Sequence, residues 1–162
     1  MPASGNKPVL ILGGGLIGLS VAYELARQGK AVEVLSRNRN EAAGFVAAGM
    51  LAPHAEGLSQ NLLKLSQVSL ELIPQWVAQI ETDSGIKCGL RHCGIVVPFL
   101  DSDKRDQYPT AALGERINRS ELIQEIPGIS PQWETGLIFN QDGQIDNRRQ
   151  LMRALEKACV GL

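Results

Sequence analysis

Apolar and polar residues follow one another along the first part of the chain in a pattern that predicts strand, helix and strand. Val9 to Leu12 form a continuous apolar run that ends at glycines, which is typical of a parallel strand covered on both faces. Leu16 to Gln28 lack proline and carry apolar residues at helical spacing, and Gly29 stands where a left-handed cap ends such a helix. Ala31 to Leu35 form the next strand, so the segment predicts one βαβ unit with a right-handed crossover.

The rest of the chain predicts a less regular series of elements. Asn38 to Gly57 hold few helix or strand signals but many small residues, and a loop of this length is more often functional than idle. Leu62 to Ile80 predict a helix that bends or restarts at Pro74 and packs on the sheet. The elements expected after it are a strand at Leu90 to Leu100, a polar connection at Asp101 to Tyr108, a short helix capped by Ser120 and ended by Pro127 and Gly128, a strand at Gly136 to Asn140, a turn at Gln141 to Gln144 and a closing helix at Asn147 to Cys159.

Composition and charge narrow the class of protein. The 162 residues are 44% hydrophobic and 20% charged, which fits one folded domain with its own core. The net charge is -1 and no basic stripe is present, so a nucleic-acid partner has no electrostatic support. The first residues, MPASGNKP, lack the apolar core of a signal peptide, and no apolar run approaches the roughly 20 residues that span a bilayer. We therefore expect a cytoplasmic protein without a membrane segment.

Three cysteines and a nearby histidine raise the question of a metal site. Cys88, His92 and Cys93 lie close together in sequence, but no second pair of ligands follows at zinc spacing. With Cys159, the cysteines form an odd set in a chain without an export signal, which argues against a disulfide framework. We expect no metal, and cysteines that behave as small buried hydrophobes.

The glycines between the first strand and the first helix carry the clearest functional signal. Gly13, Gly15 and Gly18 occupy the G-x-G-x-x-G positions of ILGGGLIG. The first allows the tight turn, the second lets a pyrophosphate approach the backbone, and the third lets helix and strand pack closely. Ala22 and Ala26 continue the small face at four-residue spacing, so the helix can direct its first amides at an anion. This segment predicts dinucleotide binding.

The end of the second strand leaves the identity of the nucleotide open. Many such proteins place an acid here to hold a ribose, but this chain has Ser36 followed by Arg37. The pair is similar to a site for the 2′-phosphate of NADP. Ser36 can equally make one weaker hydrogen bond to a ribose, with Arg37 over the adenine or in solvent. Local chemistry therefore allows an NADP-dependent reductase, a flavoenzyme, or a nucleotide-binding scaffold without chemistry.

A resemblance to a known family favours the flavin. AAGMLAPHAE, Ala47 to Glu56, together with GGGLIGLSVAYELARQG resembles the FAD-dependent D-amino-acid-oxidase superfamily, and within it the glycine oxidases of thiamine biosynthesis. DGQIDNRRQLMRALEKA, Asp142 to Ala158, is similar to the turn and helix by which that family returns from its substrate domain. Cyanobacterial-type members also tend to read VLSR at the second strand, so Ser36 then no longer argues for NADP. The resemblance covers nearly all of this chain, and the chain covers less than half of the family's usual length.

The resemblance implies an α/β fold that is incomplete relative to the family. It consists of an FAD-binding Rossmann-like βαβ domain of the glutathione-reductase type and the start of an α+β substrate domain. The implied divisions are a flexible leader at 1–7, the first part of the FAD-binding domain at 8–86, the first part of the substrate or cap domain at 87–137, and a return toward the FAD-binding domain at 138–162.

By position, the resemblance also implies a set of cofactor-binding residues. They are Gly13, Gly15, Leu16, Ile17 and Gly18 on the pyrophosphate side, Ser36 and Arg37 at the ribose, Ala43 and Gly44 on the diphosphate side, and Ala48, Gly49 and Met50 at the isoalloxazine ring. Met50 is also expected to touch a small substrate. For His54 and Glu56 we expect hydrogen bonding that fixes the loop rather than general-base catalysis.

The activity implied by the resemblance is oxidation of glycine or a similar small amine to an imine, which water then hydrolyses while oxygen is reduced to hydrogen peroxide. The imine would feed thiazole formation, so a thiazole synthase is an expected partner. Catalytic residues are unknown and expected beyond Leu162, and we therefore expect little activity from this chain alone. Exposed sheet edges and apolar helix faces are expected to favour a homo-oligomer.

Overall fold

The computed structural model describes residues 7–145 and 148–162. Most of the predicted leader, and the predicted start of the closing helix at Asn147, lie outside these described residues. The strands are β1 (Val9–Leu12), β2 (Val32–Leu35), β3 (Met50–Leu51), β4 (Leu90–Arg91), β5 (Ile95–Phe99), β6 (Glu115–Ile117), β7 (Thr135–Phe139) and β8 (Gly143–Ile145). The α-helices are α1 (Leu16–Arg27), α2 (Gln60–Ser84), α3 (Ser102–Asp106), α4 (Arg119–Glu125) and α5 (Arg148–Gly161). The chain divides into two compact units, and α2 contributes to both.

The first unit contains the chain up to Gly49 together with Gln75–Gly89 and Ile145–Leu162. Its βαβ segment confirms the predicted order of elements. β1 and β2 pair in parallel with Val9 opposite Val32, and α1 connects them. After α1, Gly29 adopts a left-handed conformation with a φ of 72°, as a glycine at the end of a helix commonly does. α5 packs against α1.

Apolar side chains of the βαβ segment remain open to solvent. Val9, Leu10 and Leu12 are 41%, 53% and 78% exposed. The prediction that β1 is covered on both faces is therefore wrong for this chain, because a sheet of two strands with one crossover helix leaves apolar surface uncovered. Ile17 and Leu35 are exposed as well. These side chains confirm the expectation of exposed apolar surface.

α2 is continuous through Pro74 and does not restart there. Side-chain hydrogen bonds join its C-terminal half to α1, where the sequence predicted packing on the sheet. The Tyr23 hydroxyl donates to Asp83 Oδ2 at 2.6 Å, and the Trp76 indole donates to Glu24 Oε1 at 2.9 Å. The hydrogen bond from Tyr23 holds the pKa of Asp83 below its usual value, so this carboxylate remains a charged acceptor.

The second unit contains Met50–Pro74 and Leu90–Gln144. Its larger sheet has the order β5-β7-β6 and is antiparallel, with Ile95 opposite Phe139. Side chains from this sheet and the turn before β6 form a buried cluster of Phe99, Ala111, Leu137 and Phe139. A smaller sheet has the order β3-β8-β4. The strands β3, β6 and β8 were not predicted, because each is only two or three residues long and too short for a readable alternation. β8 begins within the turn predicted at Gln141 to Gln144, so that prediction is wrong for its last two residues.

The two short helices of this unit, α3 and α4, begin at side-chain caps that the sequence analysis did not predict. The polar connection predicted at Asp101 to Tyr108 contains α3, because the Asp101 carboxylate accepts from Lys104 N at 2.7 Å and caps the helix. α4 is capped by Asn118 rather than by Ser120. The Asn118 side chain accepts from the Glu121 amide and the Glu121 carboxylate accepts from the Asn118 amide, which is a capping box.

Within residues 7–145 and 148–162, none of the helices combines the length and the apolar character that a bilayer crossing needs.

Candidate functional site

The turn between β1 and α1 is built from glycines that meet different steric demands. Gly13 has a φ of 113°, which residues with a Cβ rarely adopt, and its amide donates to Leu35 O at 2.8 Å. A Cβ on Gly18 would lie 1.9 Å from Gly13 O, so only glycine allows α1 to approach the turn this closely. A Cβ on Gly15 would meet no described atom within 4 Å beyond its chain neighbours. The second glycine therefore faces open space, as the approach of a phosphate requires.

The first turn of α1 offers backbone amides to that space. Gly15 is the N-cap, and among the described residues neither a capping side chain nor an acidic residue in the first turn is present. The first amides of a helix have no partner within the helix, and together with the helix dipole they attract an anion. Leu16 and Ile17 are exposed at this end of the helix, so the two residues predicted beside the pyrophosphate are accessible.

An open pocket of about 350 Å³ lies at this turn, within the first unit. Its lining residues are Gly13, Gly14, Gly15, Ser36, Arg37, Asn38, Glu41 and Ala42. The structure thus brings together four of the predicted site residues, namely Gly13 and Gly15 with Ser36 and Arg37. The Ser36 side chain lies close to the turn, since a Cβ on Gly14 would be 3.0 Å from Ser36 Cβ. The volume is at the lower end of the range that ligand pockets cover.

Glu41 lines this pocket but was not among the predicted site residues. Its carboxylate accepts from Arg37 Nη2 at 2.7 Å and from Asn38 Nδ2 at 3.1 Å. The Asn38 side chain also accepts from Asn40 N at 3.1 Å, which fixes the turn. The spacing Asn-x-x-Glu is the sequence signal that could have identified the pair, because it is the spacing of a capping box.

The predicted site residues that follow this pocket in sequence do not line it. Ala43 and Gly44 belong to a single 3-10 turn, Ala43–Phe45. A Cβ on Gly44 would lie 2.9 Å from Met152 Sδ, so a side chain there would displace Met152 of α5. Ala48 is exposed.

Gly49 and Met50 lead into the β3 strand. Gly49 has a φ of 81°, and its carbonyl accepts from Ile145 N at 2.8 Å. Met50 lies opposite Gln144 in the β3–β8 ladder and is 52% exposed. A side chain that is half exposed is not explained by core packing alone, so the contact predicted for Met50 with a small substrate stays a prediction.

A buried polar network holds the loop after β3 in the second unit. His54 Nδ1 lies 2.6 Å from Asp142 Oδ1, and Ala55 N donates to Asp142 Oδ2 at 2.7 Å. Gln67 Nε2 lies 3.1 Å from His54 Nε2. Because a carboxylate only accepts, His54 carries its proton on Nδ1, and its Nε2 accepts from the Gln67 amide. With this tautomer both oxygens of Asp142 and both ring nitrogens of His54 have a partner.

The backbone carbonyls of the same loop are also tied down. Thr110 Oγ1 donates to His54 O at 2.6 Å, and the Tyr108 hydroxyl donates to Ala55 O at 2.7 Å. Burial raises the pKa of Tyr108, which keeps its hydroxyl protonated and able to donate. The loop-fixing role expected of His54 is therefore confirmed. Glu56 is exposed, and its role stays a prediction.

The cysteines differ from one another in exposure. Cys88 is buried, and burial raises the pKa of its thiol to about 11, so it behaves as the small hydrophobe that was predicted. Cys93 is exposed and Cys159 is half-buried, so for these two residues the prediction of burial is wrong or only partly met. In the part of the chain that the structure describes, no group of three or more His, Cys, Asp or Glu side chains could hold a metal ion.

The parallel βαβ unit and its glycine turn define a dinucleotide-binding α/β protein. A family model described as FAD dependent oxidoreductase, DAO, matches residues 8–162, and the chain belongs to this family. FAD is the cofactor of the family. The turn fits its pyrophosphate, because Gly15 leaves open space at the helix amides and Gly18 allows the helix to lie close to Gly13.

Similar proteins are known from both sequence and structure. The bifunctional protein ThiO/ThiG of Synechocystis sp. is 36% identical over 160 residues, which cover 97% of this chain and 24% of the relative. Glycine oxidase of Geobacillus kaustophilus is 32% identical over 148 residues, which cover 85% of this chain and 39% of the relative. A crystal structure of glycine oxidase from the same species matches with a TM-score of 0.84 at 24% identity, over 94% of this chain and 44% of that chain. The chain thus spans less than half the length of these proteins.

Proposed function

We propose that this chain is the N-terminal, nucleotide-binding part of an amino-acid oxidase of the glycine oxidase type. The observation that carries the proposal is its similarity, along nearly its whole length, to a ThiO/ThiG protein and to a glycine oxidase. The family supplies the reaction class, which is FAD-dependent oxidation. The choice of glycine as the amine is the finer part of the proposal.

This chain would hold the cofactor mainly through its own backbone amides, and less through its side chains. The amides at Gly15, Leu16 and Ile17 would donate to the pyrophosphate, since the open space at Gly15 leads to the start of α1. Ser36 and its neighbours would contact the ribose. The segment of Ala48, Gly49 and Met50 would border the isoalloxazine ring, where small side chains allow a close approach.

The proposed overall reaction converts glycine, oxygen and water into glyoxylate, ammonia and hydrogen peroxide. Bound FAD supplies the acceptor for the two electrons that leave the amine and passes them to oxygen. The contribution of this chain would be to bind the cofactor, with the backbone at Gly49 among the groups that would hold its ring, and to keep the following loop fixed through His54 and Asp142.

The experiment that tests this proposal compares the wild-type chain with two glycine variants. Gly15→Val adds a side chain to the open space, since a Cβ there would meet no described atom within 4 Å beyond its chain neighbours, and Gly161→Val, where a Cβ is equally free at the far end of α5, is the matched control. We expect FAD to bind the wild type and Gly161→Val with a perturbed visible flavin spectrum, and to bind Gly15→Val at least about tenfold more weakly. Equal binding by all three proteins would contradict the assignment of this turn to the cofactor.

The substrate is tested in a chimera. This chain replaces the matching part of the Geobacillus kaustophilus glycine oxidase, and peroxide formation is measured with glycine, sarcosine, D-alanine and D-proline. We expect peroxide with glycine from the chimera, and little or none from the 162-residue chain alone. A chimera that binds FAD and folds but oxidises none of these amines would contradict the proposal. Binding of a nicotinamide nucleotide that depends on its 2′-phosphate would favour the reductase instead.

A thiazole synthase is the partner that we propose, because the Synechocystis relative combines ThiO and ThiG in one bifunctional protein. Co-migration of the chain with the ThiG part of that relative in size-exclusion chromatography is the expected result, and separate elution would contradict it.

Self-association is a further proposal. It is supported by the exposed α2 residues Leu62, Leu65 and Leu72, and light scattering of Leu65→Lys against the wild type tests it.

A further inference from the structure

We infer that Glu41 supplies the carboxylate that is missing at the end of β2, and that it makes the pocket reject a ribose carrying a 2′-phosphate. This inference rests on the proposed function, in which the pocket takes the adenosine half of FAD. It assigns to Glu41 the choice between FAD and a 2′-phosphorylated nucleotide such as NADP. Ser36, which occupies the usual position of the acid, then has only a supporting role.

The position of Glu41 is the first argument. It lines the same pocket as Ser36 and the glycine turn, although it lies five residues beyond Ser36 in the chain. The short 3-10 turn Arg39–Glu41 folds back after β2, and the Glu41 amide donates to Asn38 O at 3.3 Å. A carboxylate therefore stands at the end of β2, although the sequence there reads Ser-Arg.

The hydrogen bonds of Glu41 are the second argument. Oε2 accepts from Arg37 and Oε1 accepts from Asn38, so the two oxygens are held by different donors. Each carboxylate oxygen has a second lone pair, which remains available for a ribose hydroxyl. The carboxylate is about half exposed, so a ligand can reach it. A carboxylate that is held by two donors on one side and open to solvent on the other is suited to accept hydrogen bonds from the two hydroxyls of a ribose.

The charge of the pocket is the third argument. Of the described residues that line it, Arg37 and Glu41 are the charged ones, and they form an ion pair at 2.7 Å. A 2′-phosphate brings a charge of about −1.5 to −2 at neutral pH. It would need Arg37 as its partner, but Arg37 is already paired with Glu41, and the carboxylate itself repels the phosphate. The Ser-Arg sequence that resembles an NADP site therefore favours a nucleotide without that phosphate.

The test compares the affinities of two ligands that differ only by the phosphate, ADP-ribose and 2′-phospho-ADP-ribose. They are measured by isothermal titration calorimetry with the full 162-residue chain. We expect the wild type to prefer ADP-ribose by about tenfold, which is the effect of one nearby unit charge in a solvated site. Glu41→Gln is expected to abolish or reverse this preference, because Arg37 is released. Adding Arg37→Ala to Glu41→Gln should weaken the binding of 2′-phospho-ADP-ribose again.

The outcomes separate this inference from the proposed function. If ADP-ribose binds the wild type and not Gly15→Val, but Glu41→Gln leaves the ratio of the two affinities unchanged, the role of Glu41 is overturned while the nucleotide site stands. If neither ligand nor FAD binds the wild type, the proposed site itself is overturned, and the inference with it. Circular dichroism of each variant verifies that the compared chains are folded.

Discussion

Two acidic residues in this protein form close contacts of nearly the same length in opposite surroundings. Arg37 Nη2 lies 2.7 Å from Glu41 Oε2, and both side chains are exposed, at 88% and 54%. His54 Nδ1 lies 2.6 Å from Asp142 Oδ1, and these side chains are 6% and 0% exposed. Since the distances are alike, a difference in what the two pairs contribute to stability comes from solvent, from the other hydrogen bonds around them, and from the partner of the carboxylate, which is a guanidinium in one pair and an imidazole in the other.

Solvent makes the exposed pair easy to rearrange. Ion pairs between exposed side chains contribute about 0–1 kcal/mol, because water screens the charges and the side chains lose conformational freedom. The pair at the pocket therefore contributes little to stability, and its half-exposed carboxylate stays within reach of a ligand. The buried pair has no solvent to replace a lost partner, so each of its members must keep its hydrogen bonds. The first arrangement suits recognition, and the second suits the fixing of a loop.

The largest effect on stability is expected from removing the histidine of the buried pair. His54→Ala leaves the fully buried Asp142 without its side-chain partner and opens space beside Phe139, whose ring stacks on His54. We expect the free energy of unfolding, measured by urea denaturation, to fall by about 3–5 kcal/mol. His92→Ala, which removes the exposed histidine, is the matched control and should cost less than about 0.5 kcal/mol. Similar losses for the two variants would remove the distinction between buried and exposed sites.

A smaller loss is expected when Asp142 keeps its shape but loses its charge. In Asp142→Asn, the amide oxygen can still accept from Ala55 N, and the amide nitrogen can donate to His54 Nδ1 if the histidine proton moves to Nε2. The side-chain amide of Gln67 must then turn so that its oxygen accepts from His54 Nε2. Because charge-assisted hydrogen bonds become neutral ones, we expect a loss of about 1–2 kcal/mol.

Nitrogen NMR of the histidine ring tests the reason for that smaller loss. The expected result is a change of the His54 tautomer in Asp142→Asn, whereas the exposed Asp103→Asn variant should leave the tautomer and the stability unchanged. A proton on Nε2 in the wild type would contradict the assignment to Nδ1, whereas an unchanged Nδ1 tautomer in Asp142→Asn would mean that the oxygen of the introduced amide, and not its nitrogen, faces His54.

A still smaller loss of stability is expected from changing Thr110, which supports the same loop through one hydrogen bond. Thr110→Val preserves the volume but leaves His54 O without the donor that lies at 2.6 Å. We expect a loss of about 1 kcal/mol and faster hydrogen exchange at the Ala55 amide. Thr82→Val is the control, because Thr82 donates to Ala78 O on an exposed helix face. A Thr110 variant with unchanged exchange at Ala55 would show that the loop does not depend on this contact.

The sequence predicted the βαβ unit well because its signals are local. The apolar run of β1, the helical spacing of α1 and the cap at Gly29 each depend on residues close together in the chain, and each is confirmed. The steric role of Gly18 was also readable, because a G-x-G-x-x-G turn requires close packing at its third glycine. Elements defined by a polar cap, such as α3 after Asp101, were missed because their apolar pattern is short.

Contacts between distant residues explain most of what the sequence could not predict. A structural role was expected for His54, but its partner Asp142 lies 88 residues further along the chain, and nothing in either segment indicates the pairing. The exposure of β1 could not be read from its apolar sequence, because that pattern describes what a strand buries in a complete sheet. Glu41 was missed for a different reason, since its signal was local but lay in a loop without apolar periodicity.

The smallest effect on stability is expected at the exposed pair, and a double-mutant cycle gives the sharpest comparison. The cycle Arg37→Ala, Glu41→Ala and the double variant should give a coupling free energy below about 1 kcal/mol, because both groups are solvated. The corresponding cycle of His54→Ala and Asp142→Ala should give a coupling of about 2–3 kcal/mol, within the range for groups in direct contact. Both cycles are measured by urea denaturation in the same buffer, with and without added salt. Salt should reduce the coupling of the exposed pair and leave that of the buried pair nearly unchanged, because ions screen only charges that they can approach. Equal couplings, or equal sensitivity to salt, would mean that the distance between the paired atoms determines the contribution of each pair and that burial does not.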